Sequence, residues 1–269
     1  MVEFYKFHGL GNDFVLIEGT EATVTTRQVV DICRRHRGVG ADGVLLVQLQ
    51  QPSRSVPRVE MIVFNRDGSR PEMCGNGVRC VAAFAQRQWG LGEEMIVESD
   101  AGDRRCRVDA IGDFLWHVTV SMGSAKAVKS DTELEVNGHN FPFFNVDVGN
   151  PHAVIFAPAS DEQVRQVGVV ANDDHPAFPT GVNVEFVQAG AADHEVVARI
   201  YERGVGMTRA CGTGACAVAQ ALWTSGRVAR DKAVTVELPG GSLSIQRRDD
   251  QVWMTGPAQQ VFSGHWHQP

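Results

Sequence analysis

Two short runs in this chain place a cysteine ahead of two glycines and then enter an alanine- and valine-rich helical pattern: Met73-Cys74-Gly75-Asn76-Gly77 and Ala210-Cys211-Gly212-Thr213-Gly214. A thiol at a helix entrance meets backbone N–H groups and the positive end of the helix dipole. Both favour thiolate over thiol and lower a reference pKa of about 8.5. A pair of such thiols suits a reaction that takes a proton from one face of a carbon and returns one to the other, one sulfur acting as base and the other as acid. That is stereoinversion, the work of a racemase or epimerase. An amino-acid α-carbon is a very weak acid, so its carboxylate must be stabilised as the proton leaves. The backbone N–H groups of Gly75, Asn76, Gly212 and Thr213, at two helix N-termini, would form an oxyanion-hole arrangement around it. Glycine lets the backbone approach closely.

The elements that must hold these thiols are written twice. The cysteines stand 137 residues apart, and other segments recur in the same order at offsets of 137 to 140, the mark of an internal duplication. Gly11-Asn12, ahead of Phe14-Val15-Leu16-Ile17, is answered by Gly149-Asn150, ahead of Pro151-His152-Ala153-Val154-Ile155-Phe156. Gly43-Val44-Leu45-Leu46-Val47-Gln48 is answered by Asn183-Val184-Glu185-Phe186-Val187-Gln188, and nine residues before each cysteine a polar residue closes a strand-like run, Asn65 in one half and Glu202 in the other.

In the first half, Thr25 or Thr26 is expected to cap a helix through Arg35 that stops at Gly38. Residues 58–64 read as a strand. Val78, Val81, Ala82 and Ala85 follow helical spacing from Cys74 to Gly90, and short strands fill 94–120. In the second half, Ser160 and Asp161 open a short helix, 196–201 is a strand, and a helix covers 213–225. Strands at 233–238, 243–246 and 252–255 follow, with turns at Pro239-Gly240-Gly241 and Asp249-Asp250. The boundary is placed near 121–126.

The composition excludes several classes of function. The 269 residues are 43% hydrophobic and 21% charged, and a formal net charge of −7 argues against a phosphate-tracking nucleic-acid surface. The N-terminus does not read as a secretory signal, and no apolar run is long enough to span a bilayer. The six cysteines read as reduced thiols in a cytoplasmic protein. Cys33, Cys80, Cys106 and Cys216 are expected to pack in the core. Gly38-Val39-Gly40-Ala41-Asp42-Gly43 carries the letters of a dinucleotide fingerprint, but it follows a helix and precedes a strand, the reverse of the required context. No lysine sits in a setting that marks a Schiff base, so no cofactor is expected. His265 and His267 flank Trp266 without a third ligand and read as a solvated tail, and no metal is expected. Arg34, Arg35 and Arg37 read as an exposed helix end.

His8-Gly9-Leu10-Gly11-Asn12-Asp13-Phe14, Met73-Cys74-Gly75-Asn76-Gly77-Val78-Arg79-Cys80, Gly149-Asn150-Pro151-His152, Tyr201-Glu202-Arg203-Gly204 and Ala210-Cys211-Gly212-Thr213-Gly214-Ala215-Cys216 together resemble the diaminopimelate epimerase family, over essentially the whole chain. The resemblance implies a cofactor-independent isomerase that converts LL-2,6-diaminopimelate to the meso form, in lysine and peptidoglycan biosynthesis. It implies Cys74 and Cys211 as the catalytic acid/base pair, with the amides of Gly75, Asn76, Gly212 and Thr213 on the reacting carboxylate. His152 would lie close to the thiols and Glu202 would receive an ammonium group. Asn12, Asn65, Asn150, Asn183 and Arg203 would contact substrate. Met207 stands where many members carry Glu, and Phe262 replaces a tyrosine associated with dimer contacts.

The fold expected is α/β in the α+β sense, two pseudo-symmetric domains, each a strongly curved, mainly antiparallel sheet around the helix that begins at its cysteine loop. The domains are 1–122, with 259–269 returning to it, and 123–258, drawing together on substrate. The partners expected are the amino-acid substrate and a second copy in a homodimer, without nucleic acid or membrane. The nearest rival is a racemase of proline, hydroxyproline or histidine on the same scaffold, and proline-type members generally show histidine where Asn76 stands. A two-lobed binding or thiol redox protein without turnover is the rival from another class.

Overall fold

The structure, a computed structural model, describes residues 1–50, 56–173 and 175–267. The chain forms two compact units, Met1–Ser121 with Thr255–Pro269, and Met122–Met254.

In the first unit the strands β1 (Val2–Gly9), β2 (Asn12–Glu18), β3 (Gly43–Leu49), β4 (Arg58–Asn65), β5 (Glu94–Ser99), β6 (Gly102–Gly112) and β7 (Leu115–Gly123) neighbour one another in sequence order. The β2–β3 and β4–β5 pairs are parallel and the rest antiparallel. The last strand, β16 (Gln251–Trp266), neighbours β7 and pairs antiparallel with β1 from His8↔Gln259 to Val2↔Trp266. The strands of this unit therefore close on themselves. Helix α1 (Thr26–Cys33) connects the parallel strands β2 and β3, and α2 (Gly75–Trp89) packs against β1 to β6.

The second unit repeats the plan. Its strands β8 (Lys126–Val136), β9 (His139–Asp147), β10 (Pro151–Ile155), β11 (Asn183–Ala189), β12 (Glu195–Glu202), β14 (Val234–Leu238) and β15 (Gly241–Arg248) are again ordered neighbours, with the two-residue β13 (Gly206–Met207) paired to β12. Here β10–β11 and β12–β14 are the parallel pairs. Helix α3 (Asp161–Ala171) lies between β10 and β11 as α1 lies between β2 and β3, and α4 (Gly212–Thr224) packs against β8 to β12, β14 and β15.

Local chemistry accounts for these elements. Thr25 with Gln28, and Ser160 with Gln163, form full capping boxes at the starts of α1 and α3. The α2 helix ends at Gly90 in the left-handed conformation, φ 64°. Residues 76–85 of α2 and 214–223 of α4 are buried on every side, which an alanine-rich helix permits because it lets surrounding strands approach from all directions. Gly168 in α3 is needed for space: a Cβ there would stand 2.2 Å from the Tyr201 ring.

Three expectations change. The α1 helix stops at Cys33, because Arg34 turns to φ −64°, ψ 114°, and Arg35 leaves the helix for ion pairs described below. The hairpin β8–β9 was not foreseen. Its strands are mostly exposed and β8 is rich in charge, and the register shift between Lys129 and Glu133 puts the buried Phe143 and Val146 of β9 out of alternation. The histidine tail is mostly strand: His265 and Trp266 lie in β16 opposite Glu3 and Val2, with Trp266 packed on the core of the first unit.

Candidate active site

Cys74 is the N-cap residue of α2, in extended conformation at φ −141°, ψ 109°. Its sulfur accepts the N–H of Gly77 at 3.4 Å, and its carbonyl accepts that of Val78 at 2.9 Å. Asn12, at the start of β2, stands beside it. Its Oδ1 accepts Asn76 Nδ2 at 3.0 Å and lies 4.0 Å from Cys74 Sγ, while its Nδ2 donates to Asp42 Oδ2 at 3.0 Å.

Asp42 also takes the Asp13 N–H at 3.1 Å, and Arg35 donates to both Asp13 and Asp42 at 2.7 Å. Buried Lys6 bridges Asp13 and the Gly40 carbonyl. Burial alone would raise the Asp13 pKa, but hydrogen bonds from Arg35 and Lys6 outweigh it and hold the carboxyl at about 2. The amide of Asn12 is thus anchored by the Asp42 side chain on one side and has its oxygen beside the thiol on the other. Asn65, opposite Gly43 at the end of β4, is exposed and donates to Ser69 Oγ at 2.9 Å.

Cys211 repeats the geometry in the second unit. It is the N-cap of α4 at φ −129°, ψ 114°, its sulfur accepts the Gly214 N–H at 3.4 Å, and its carbonyl accepts that of Ala215 at 3.0 Å. The first turns, Gly75-Asn76-Gly77 and Gly212-Thr213-Gly214, present N–H groups at the N-terminal ends of their helices.

The surroundings of the two sulfurs differ. Cys211 lies 3.4 Å from Thr213 Oγ1 and is hydrogen-bonded to the carboxylate of Glu202, which also accepts Thr208 Oγ1 at 2.5 Å. Against the lowering expected at a helix entrance, burial pushes the Cys211 thiol well up and the charge of Glu202 pushes it further, outweighing the bonds from Thr213 and the Gly214 N–H. Burial raises Glu202 as well, partly opposed by its bonds from Thr208 and Cys211. The two groups compete to hold a proton.

His152 and Asn150 stand at the start of β10. The His152 Nδ1 is 2.7 Å from Glu185 Oε1, and its Nε2 is 3.0 Å from Asn150 Oδ1. Asn183, beside His152 in the β10–β11 register, gives Nδ2 to the Pro151 carbonyl and takes the Arg203 N–H, both at 3.0 Å. Its amide therefore ties the strand ends together. The guanidinium of Arg203 reaches the Thr180 carbonyl at 3.0 Å and remains exposed.

Sequence reasoning did not select Asp42, Arg35 or Lys6, which back Asn12, nor Glu185, which backs His152. The available signal for Glu185 was a lone acid inside the apolar strand Asn183-Val184-Glu185-Phe186-Val187. Among the described residues no group of three or more His, Cys, Asp and Glu side chains is placed to hold a metal ion, and no helix is long and apolar enough to cross a membrane.

The sequence matches the family described as Diaminopimelate epimerase over residues 4–128 and 144–261. The chain belongs to the diaminopimelate epimerase family. Among relatives, it is 42% identical to Diaminopimelate epimerase of Desulforudis audaxviator, covering 98% of this chain and 99% of that one. It is 38% identical to Diaminopimelate epimerase 1 of Nostoc sp. strain PCC 7120, with the same coverage. Solved structures share the fold at far lower identity. A phenazine biosynthesis protein of the PhzF family from Bacillus anthracis gives a TM-score of 0.72 at 14% identity, covering 98% of both chains. A hydroxyproline epimerase from Agrobacterium vitis gives 0.68 at 15%, covering 99% of this chain and 90% of that one. Identities this low speak for the two-unit α+β scaffold alone, whereas membership of the diaminopimelate epimerase family rests on the sequence matches.

Proposed function

We infer that this isomerase inverts one α-carbon of LL-2,6-diaminopimelate to give the meso form, a step of lysine and peptidoglycan biosynthesis, with Cys74 and Cys211 as its acid/base pair. The reaction and substrate follow the family. The observation that carries the assignment of the pair is the repeated N-cap geometry, each sulfur 3.4 Å from the N–H three residues on.

In this mechanism one thiolate removes the α-proton and the other thiol delivers a proton to the opposite face. The first-turn N–H groups of Gly75, Asn76, Gly212 and Thr213 take the charge that develops on the carboxylate, aided by two helix dipoles. Burial and the Glu202 charge favour the thiol form of Cys211, which suits it to act as acid when Cys74 acts as base. Glu202 also provides a negative group for the substrate ammonium. Asn12, Asn65, Asn150, Asn183 and Arg203 hold the substrate, His152 orients its neighbours, and no cofactor or metal takes part.

The enzyme works in the cytoplasm and as a homodimer, the second part of this reading being supported by the exposed apolar side chains Val261 and Phe262 on β16. Incubation with LL-diaminopimelate, proline and hydroxyproline, followed by chiral chromatography, tests the substrate. Only diaminopimelate should be interconverted, and turnover of proline in its place would overturn the reading.

A further inference from the structure

Glu185 is wholly buried in β11, and the acid/base chemistry above does not use it. Its Oε1 lies 2.7 Å from His152 Nδ1, and its Oε2 has no hydrogen-bond partner among the described residues. It sits against the first turn of α4, where a Cβ on Gly214 would come within 3.0 Å of Oε1. Burial pushes its carboxyl up, opposed by the contact with His152. A buried ionisable group that packs as an apolar residue would, and makes one directed bond, is retained for what that bond does to its partner.

The partner is fixed from both sides. Asn150 Oδ1, 3.0 Å from His152 Nε2, can only accept, so Nε2 carries hydrogen, and Nδ1 accepts the hydrogen of the Glu185 carboxyl. With its oxygen engaged by the ring, the Asn150 amide has its Nδ2 hydrogens to offer to an acceptor. We propose that Glu185 is a positioning residue: by holding His152 Nδ1 it aims Nε2–H at Asn150 Oδ1 and so orients the Asn150 amide to donate to a carboxylate oxygen of the amino-acid substrate. The proposal rests on the reading of Asn150 as a substrate contact.

Three single variants, one double variant and one spectrum test it. Glu185→Leu removes the bond but leaves a well-packed apolar side chain, so the melting temperature should stay within a few degrees. Its KM for LL-diaminopimelate should rise about tenfold with kcat little changed, the effect of losing one hydrogen bond to a charged group. Glu185→Gln, whose amide can donate to Nδ1, should restore most of the affinity. Asn150→Ala should raise KM as well, and adding Glu185→Leu to it should cost nothing more, because the two act through one chain of contacts. Nitrogen-15 spectra of labelled histidine should show Nε2 protonated in the unaltered enzyme and in Glu185→Gln.

An unprotonated Nε2 in the unaltered enzyme would overturn the proposal even if Glu185→Leu failed to fold. So would an unchanged KM in Glu185→Leu, or costs of Glu185→Leu and Asn150→Ala that simply add. An Asn150→Ala variant with unchanged KM would instead remove Asn150 from the substrate site, and the proposed route with it.

Discussion

Each candidate thiol has a different neighbour, an amide oxygen of Asn12 beside Cys74 and a carboxylate of Glu202 beside Cys211. The shared part is the helix entrance, and the acid/base assignment depends on that part. Replacing Cys74 or Cys211 singly by Ala should lower inversion of LL-diaminopimelate by about a thousandfold, the scale of one general acid or base. Melting temperatures should stay close to that of the unaltered enzyme. Chiral chromatography and thermal melts check this, and an active Cys211→Ala variant would contradict the pair. Both cysteines were legible because their glycine-rich setting is local in sequence. Asp42, Arg35 and Glu185 were not, because their significance lies in contacts between residues far apart in sequence, Arg35 with Asp13, Asn12 with Asp42 and His152 with Glu185, which no local spacing encodes.

Elements carry the stability that holds these residues in place. Asp13 in β2 is drawn well below the ordinary carboxylate range, to about 2, by Arg35 and Lys6 against the cost of burial. A depressed carboxylate pKa stabilises the folded form at pH values above about 4, and that contribution, about 2 kcal/mol, is lost as pH falls from there through about 2. Asp13→Asn should therefore destabilise the enzyme at neutral pH, by about 3 kcal/mol once the unpaired charge of Lys6 is included. It should also flatten the acid limb of a denaturation curve between pH 4 and pH 2. Urea titrations at several pH values measure both effects.

At the helix starts, Thr25→Ala and Ser160→Ala should each cost about 1 kcal/mol, the usual loss for a missing N-cap. The Ser160 cap and the α2 stop at Gly90 could be read directly from the sequence, and the α1 cap to within Thr25 or Thr26, since capping is a matter of side chains within three or four residues. The β8–β9 hairpin could not. Most of its residues are exposed, and the buried positions of β9, Phe143 and Val146, fall out of step at the shift between Lys129 and Glu133.

For the molecule as a whole, the duplication is the fact from which most else follows. The two units share a succession of strand pairs, a capped helix between parallel strands and a buried helix opened by cysteine. The repeated motifs revealed that plan, but the sixteen-residue length of β16 emerged only from its pairing with β1. Truncation after Ala258 removes the partner strand of β1 and opens the closed sheet of the first unit, so the shortened chain should fail to give a cooperative melt. The central claim is that two thiols work from opposite faces of one carbon. Its most direct test is turnover of LL-diaminopimelate in heavy water, stopped at low conversion. The meso product should carry deuterium at the inverted carbon while recovered LL substrate keeps its hydrogen, whereas deuterium entering substrate as fast as product would point to one base and contradict the account.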